Sequence, residues 1–346
     1  MNCRFVRVLR NFFVFLCILS LFVSCKRGST NIEIEPVCNK GNAIYYWKTT
    51  FKLSDEERNF LSEHQVKRLY LRYFDVCRDP DFSMEIPVPE ATLIFLDTIP
   101  RNIEVVPTVF VDNNLFKDFD MSKCAELLVS RIRTMTATND VPNVREVQLD
   151  CDWTQTTETA YFDFLKQVRA LLEKDSISLS ATIRLHQLRM QAPPVKHGVL
   201  MCYNTGGVRN PKTDNSILAA GDVALYAKSL QNYPLSLDIA YPTFSWAVWF
   251  RNNTFQALLR KVNPENENLS KTDKNRYMVK ESFYQEGNYL RHGDEIRIES
   301  SDFSEIMQAK KLLESQMKNY SIILYHLDSN NLSKYTKNEI TQIYAH

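Results

Sequence analysis

The sequence predicts an α/β protein, a (β/α)8 TIM-like barrel with a small β insertion between strands seven and eight. Eight short runs rich in β-branched and aromatic residues occur along the chain, and most are followed by a segment with helical periodicity. Alternating strands and helices are typical of a parallel sheet, and eight such units suit a closed barrel. An open doubly wound sheet is the alternative architecture.

The N-terminus has the pattern of a secretory signal. The stretch MNCRFVRVLR carries three arginines, and the almost wholly apolar run NFFVFLCILSLFVSC follows it. Val23-Ser24-Cys25 resembles a bacterial lipoprotein box, so we expect a signal peptide over residues 1–24 and a lipidated Cys25. The apolar run is short for a membrane span, although an uncleaved anchor is the alternative. Residues 25–41 are then a flexible tether that holds the protein to a membrane of the bacterial cell envelope, at the outer membrane or the periplasmic face.

The barrel domain is expected over residues 42–346, and its strands follow from the runs of β-type residues. We predict them at residues 42–50, 66–76, 103–112, 144–153, 177–187, 197–204, 235–242 and 320–328.

Helices are expected between most of these strands. Ser54 precedes three acidic residues, as at a helix N-terminus. After the fourth strand, apolar residues recur at helical spacing; they are Tyr161, Phe164, Leu165, Val168 and Leu172. Further helices are predicted at 121–135, 219–232, 303–317 and 333–346. Gly287 and Gly293 interrupt β-type runs, which predicts a β insertion at about 277–300.

The fourth strand carries two aspartates with one residue between them. Because strand side chains alternate faces, Gln148, Asp150 and Asp152 should point into the barrel, while Cys151 meets the helices. Cys151 and Cys202 are expected to be buried free thiols. The same alternation predicts an interior with Tyr70, Arg72, Phe74, Asp112, Arg184, His186, Asp238 and His326, and it turns Ile323 and Tyr325 outward.

Barrel enzymes place functional groups at the carboxyl ends of their strands. Asp150 and Asp152 are therefore the candidate catalytic residues. Candidate substrate-binding residues near strand ends, or aromatic enough to stack on sugar rings, are Trp47, Arg72, Trp153, Arg184, His186, Tyr203, Asn204, Tyr241, Trp246 and His326.

Three segments carry a family resemblance: VQLDCDW, LSATIRLHQ and VLMCYNTGG. They resemble an uncharacterised family of bacterial lipoproteins that is distantly similar to the family 18 (chitinase-like) glycosidase barrels. Asp150 and Asp152 match the paired aspartates of family 18, but Thr154 stands where that family has its catalytic Glu. MCYN is similar to the Met-x-Tyr segment with which that family contacts its substrate. FSWAVWF, which includes Trp246, is similar to the segment that carries the family's floor tryptophan. The resemblance implies a TIM-like barrel with a carbohydrate ligand or substrate.

Two functions remain open. A glycoside hydrolase needs two carboxyl groups, one protonated and one ionised, which Asp152 and Asp150 could supply with Asp238 or Asp112 across the barrel. An inactive glycan-binding or assembly lipoprotein would instead hold both aspartates in structural ion pairs with Arg72 and Arg184.

Other classes of function are disfavoured. A metal site at Asp150, Asp152 and His186 is a weaker alternative, because no metal-binding motif accompanies these residues. No phosphate-binding loop or G-x-S-x-G motif occurs, so no cofactor is predicted. A net charge of +1 with 24% charged residues argues against nucleic acid as a partner.

Overall fold

The computed structural model describes residues 41–79 and 87–346. The predicted signal peptide and the lipidation site Cys25 lie outside the described residues, as does almost all of the tether. In the part of the chain that the structure describes, no helix is both long and apolar enough to cross a membrane.

Eight parallel strands form a closed ring in which each strand pairs with its neighbours in sequence and the last pairs with the first. They are β1 (Ala43–Tyr46), β2 (Arg68–Cys77), β3 (Glu104–Val111), β4 (Glu146–Asp150), β5 (Ser178–Arg184), β6 (His197–Met201), β7 (Ser236–Pro242) and β8 (Ile322–Tyr325). The predicted barrel is confirmed, and ring closure excludes the open doubly wound sheet. Val88–Glu90 adds an antiparallel strand to β2 outside the ring, and Thr50–Phe51 pairs with Ile94–Phe95.

The helices lie mostly on the outside of the ring. They are α1 (Asp55–Glu63), α2 (Leu115–Asp118), α3 (Ser122–Thr138), α4 (Glu158–Leu172), α5 (Ala220–Ala227), α6 (Phe303–Glu314), α7 (Ser329–Leu332) and α8 (Lys337–Tyr344), with 3-10 turns at Glu173–Asp175, Leu185–Arg189 and Lys228–Asn232. Ser54 and Thr336 form capping boxes at α1 and α8. The whole predicted apolar stripe of α4 is buried against the strands, so the burial of this stripe stabilises the helix.

The insertion between β7 and β8 is a five-stranded antiparallel sheet with its own small core. Its strands run in the spatial order Thr254–Leu259, Ser245–Arg251, Glu295–Ser300, Arg276–Val279 and Leu269–Lys271. A hairpin of Phe283–Gln285 and Asn288–Leu290 accompanies the sheet. The sheet starts at Ser245 and so extends further than the expected span of about 277–300. Glu286 and Gly287 both have positive φ, which turns the hairpin and makes Gly287 the favourable residue there.

Alternation along the strands gave the correct face for β4 and β5 but not for all of β2 and β8. A register shift between Arg72 and Phe74 places one extra residue in β2. As a result Phe74 lies against Arg131 of α3, outside the ring, and Asp75 points inward beside Arg72. The inward prediction for Phe74 is therefore wrong.

In β8 the inward and outward faces are also the reverse of those predicted. Tyr325 lies inside the barrel, where its ring centroid is 5.5 Å from that of Tyr45. Ile323 shares this face because it pairs with Ala43, two residues before Tyr45. Apolar character did not distinguish the two faces here, since this barrel packs aromatic rings in its interior.

Two cysteines behave as the sequence predicted. Cys151 and Cys202 are free and fully buried. Burial raises the pKa of the Cys202 thiol, and burial together with Asp150 and Asp152 raises that of Cys151. Both thiols are therefore protonated and unreactive at neutral pH.

Candidate functional site

Arg184, the last residue of β5, lies between Asp150 and Asp152, the two aspartates at the end of β4. Its Nη2 is 3.1 Å from Asp150 Oδ1, and its Nε donates to Asp152 Oδ1. Thr182 donates a further hydrogen bond of 2.6 Å to Asp150. Asp150 is buried, whereas the side chain of Asp152 is 59% exposed at the carboxyl end of the barrel, which we call the mouth.

Burial and charge set the ionisation of this group. Burial raises the pKa of Asp150; Arg184 opposes this shift, and the negative charge of Asp152 adds to it. Burial alone would lower the pKa of Arg184, but Asp150 and Asp152 outweigh it and raise the pKa. The guanidinium is therefore permanently charged and holds both carboxylates in place.

A second ion pair lies on β2. Arg72 donates from Nε to Asp75 Oδ1 at 2.9 Å and from Nη2 to the other carboxylate oxygen. Arg72 was expected to pair with the β4 aspartates; it pairs with Asp75 because the bulge turns that residue inward. The Arg72 guanidinium also lies 5.5 Å from the centre of the Trp47 ring. Sequence reasoning missed Asp75, and its only signal was its position three residues after Arg72.

Aromatic side chains form a continuous row at the mouth, which we call the aromatic row. It consists of Trp246, Phe244, Tyr203, Tyr325 and Trp47, with successive ring centroids 5.1, 5.9, 4.9 and 5.8 Å apart. The three central rings are largely buried, and the two tryptophans at the ends are half-buried. Such spacing is that of packed aromatic pairs, so each ring is held by its neighbours.

The aromatic row adjoins the ion pairs. The Arg184 guanidinium lies 6.0 Å from the centre of the Tyr203 ring, while Arg72 covers Trp47 at the opposite end. The structure thus brings together seven of the predicted site residues at the mouth and directly below it: Trp47, Arg72, Asp150, Asp152, Arg184, Tyr203 and Trp246. Phe244 and Tyr325 join them without having been predicted.

Two predicted site residues lie elsewhere. Trp153 is completely buried against Tyr161 and Phe162 of α4, so its indole belongs to the packing between sheet and helices. Tyr241 is also completely buried, and its neighbours are Cys202 and Glu314 on the helix side of the sheet. The alternation of side chains along β7 explains why Tyr241 faces the helices. Asp238 faces into the barrel, and Tyr241, three residues later, therefore lies on the opposite face.

Three others flank the mouth without joining the ion pairs. His186 is exposed on the 3-10 turn after β5, and burial of part of its ring lowers its pKa while Asp152 opposes the shift. Asn204 follows β6 with positive φ and is exposed. His326 is half-buried near Lys48 and Asp328, and burial lowers its pKa.

The remaining acidic candidates, Asp238 and Asp112, have other hydrogen-bond partners. Asp238 lies towards the amino end of the barrel, 2.9 Å from His197, and accepts a hydrogen bond from the Ser321 amide. Asp112 accepts hydrogen bonds from the backbone and side chain of Asn114 in the loop after β3. Asp238 is therefore not placed to act across a bond from Asp152.

Thr154, which the sequence resemblance places at the position of the family 18 glutamate, is exposed. Its hydroxyl lies 2.9 Å from that of Thr156, and its amide donates to Thr157. Among residues 41–79 and 87–346, no three His, Cys, Asp or Glu side chains are grouped to hold a metal ion. The positive charge that contacts Asp150 and Asp152 is the guanidinium of Arg184.

Solved structures share this fold at low sequence identity. The Bacillus megaterium spore cortex-lytic enzyme SleL matches with a TM-score of 0.52 and 13% identity over 89% of this chain and 75% of that chain. A Chromobacterium violaceum chitinase matches with a TM-score of 0.51 and 9% identity over 89% and 99%. A GH18 chitinase from Cycas revoluta, solved in complex with (GlcNAc)4, matches with a TM-score of 0.50 and 9% identity over 88% and 98%.

These likenesses confirm the predicted resemblance at the level of the fold. The chain has the barrel fold that these chitinases and the spore cortex-lytic enzyme share. No protein-family model matches the sequence, and no curated protein sequence matches it.

Proposed function

We propose that the protein binds a carbohydrate along the aromatic row at the barrel mouth, without cleaving it by the family 18 mechanism. The observation that favours binding over hydrolysis is the contact of Arg184 with both β4 carboxylates. A hydrolase of the ordinary kind needs one protonated and one ionised carboxyl group on either side of the scissile bond. Here both groups are on one strand and share one guanidinium, and Thr154 cannot donate a proton as a carboxylic acid would.

The aromatic row supplies the binding surface. Aromatic rings offer large rigid surfaces at a low cost in conformational entropy, and the two half-buried tryptophans leave part of their surface exposed. The exposed oxygen of Asp152 and the paired Arg72 can accept and donate hydrogen bonds to sugar hydroxyls. The solved complex of the Cycas revoluta chitinase with (GlcNAc)4 supports a carbohydrate as the class of ligand.

The second part of the proposal concerns location. Cys25 would carry the lipid, and residues 25–41 would connect it to the barrel at a membrane of the bacterial cell envelope. Two or more acyl chains give stable anchoring, which a single chain does not. A membrane-held barrel of this kind would retain glycans close to the cell surface.

A panel of soluble chito-, cello-, xylo- and manno-oligosaccharides tests the function. We expect at least one to bind in isothermal titration, with weaker binding in Trp47→Ala, and we expect no shorter product by mass spectrometry after prolonged incubation. Turnover by the wild type that disappears in Asp152→Asn would replace binding with hydrolysis as the function. Failure of every oligosaccharide to bind would reject the carbohydrate proposal.

A further inference from the structure

The indole of Trp246, at one end of the aromatic row, is held by the insertion sheet. Its Nε1 donates a 2.7 Å hydrogen bond to Oε2 of Glu299, a fully buried residue on the neighbouring strand. The same oxygen accepts a hydrogen bond of 2.5 Å from Ser216. A buried carboxylate oxygen is a strong acceptor, so it fixes the direction of the indole N–H.

The other oxygen of Glu299 is paired with Arg297, and this ion pair is completely buried. Arg297 uses its remaining nitrogens on the loop that follows β6: Nη1 donates to the carbonyl of Asn210 at 2.8 Å, and Nη2 to that of Val208 at 3.0 Å. With the ion pair and these two carbonyls, every nitrogen of the guanidinium has an acceptor.

Further contacts tie the same loop to the insertion. Arg276 donates to the carbonyl of Pro211 at 2.6 Å and to that of Thr213 at 3.1 Å. Asn275 donates to the carbonyl of Asp214 at 2.7 Å. Residues 205–217, with the sequence TGGVRNPKTDN at their start, form the loop after β6, which we call the β6 loop. Its conformation therefore depends on side chains of the insertion sheet.

We infer that Glu299 is a positioning residue of the mouth: its carboxylate fixes the Trp246 ring and, through Arg297, the β6 loop in one mutual arrangement. This inference rests on the proposed function, because it assigns the Trp246 end of the glycan-binding row to the insertion. The insertion is then part of the binding site, because it determines the position of the Trp246 ring on which one end of the ligand stacks. Charge is needed at residue 299, since a neutral residue would leave the buried Arg297 unpaired.

The test uses the full-length protein labelled with 5-fluorotryptophan. Its four tryptophans give separate 19F signals, and Trp246→Phe assigns the signal of Trp246. Two variants address Glu299: Glu299→Gln removes the charge, and Glu299→Asp keeps the charge but shortens the side chain away from the indole. Ser216→Ala is the matched control, because it removes a hydrogen bond to the same oxygen without changing the indole contact.

In whichever Glu299 variant folds, we expect the Trp246 signal to shift or broaden while those of Trp47 and Trp153 stay in place. Affinity for the oligosaccharide that the wild type binds most tightly should fall about tenfold, which corresponds to about 1.4 kcal/mol. Ser216→Ala should keep the wild-type signal and stay within about twofold of the wild-type affinity.

An unchanged Trp246 signal in a folded Glu299 variant overturns the inference. So does a shifted signal with unchanged affinity, because the position of the ring would then not matter for binding. If the wild type binds none of the oligosaccharides, the proposed function fails by itself, and the 19F signals of the unliganded variants still show whether Glu299 fixes the ring.

Discussion

Arg184 Nη2 lies 3.1 Å from Oδ1 of the buried Asp150, while Arg184 Nε reaches the exposed Asp152. One guanidinium therefore joins a carboxylate inside the barrel to one at its rim. The two aspartates are only two residues apart in sequence, yet they occupy different environments, and substitutions at them should have different effects.

Asp150→Asn should destabilise the protein strongly. Breaking a buried pair typically costs about 3–5 kcal/mol, and the remaining contact of Arg184 with Asp152 should keep the loss near the lower figure. Asp152→Asn should cost no more than about 1 kcal/mol, the value of an exposed ion pair, but should weaken glycan binding. Urea unfolding of both variants measures the difference. Equal destabilisation by the two would mean that the pair is purely structural.

The tryptophans should divide into two groups. Trp47→Ala should reduce affinity for the bound oligosaccharide about tenfold or more, as truncation of a main aromatic contact does, and should cost less stability than the loss of a fully buried tryptophan. Trp153→Ala should lower the free energy of unfolding by about 3–5 kcal/mol, because it opens a cavity against α4. Calorimetric melting and isothermal titration separate the two effects. Loss of binding in a folded Trp153→Ala protein would contradict this division.

The insertion should respond to acid through Asp294. Burial raises the pKa of this carboxyl, but the side chains of Arg251 and Trp249 and the Arg291 amide outweigh burial and lower the pKa below its ordinary value. A group whose pKa is lowered by folding contributes stability above its unfolded pKa, and that contribution is lost as pH falls through the folded pKa.

We therefore expect the insertion to be stable above about pH 4, the unfolded value for Asp, and to loosen below it. Fluorescence of Trp249, whose indole donates a 2.8 Å hydrogen bond to Asp294, reports the change. Asp294→Asn should already be destabilised at neutral pH and should lose this part of the acid dependence. An acid transition that is identical in Asp294→Asn would assign it to another group.

The lipid anchor is tested at Cys25. A basic, then apolar, sequence ending in a small residue leads directly to this cysteine, so metabolic labelling with a fatty acid should label the wild type and not Cys25→Ala. The variant should also leave the membrane fraction. Equal label in both proteins would reject lipidation at this residue.

The sequence was sufficient for the barrel but not for all of its interior. Strand and helix order followed from periodicity, and alternation correctly placed Asp150, Thr182 and Arg184 on one face. Alternation failed at β2, because a single extra residue reverses every later side chain and nothing in RLYLRYFDVC marks the bulge.

The composition of the site was predictable only in part. Trp153 and Tyr241 resemble ligand-binding aromatics in sequence, and only their burial on the helix side distinguishes them from Trp47 and Trp246. Phe244 and Tyr325 complete the aromatic row through contacts between segments about 80 residues apart. Glu299 and Arg297 lie in a run of alternating charges that is typical of an exposed strand, whereas the structure buries both.

A crystal structure of the protein soaked with the oligosaccharide that binds most tightly shows whether the barrel mouth binds a glycan without cleaving it. We expect an intact oligosaccharide at the barrel mouth, with sugar rings stacked on Trp47 or Trp246 and Arg184 still in contact with Asp150 and Asp152. A cleaved sugar at Asp152, or an oligosaccharide bound away from the aromatic row, would contradict it.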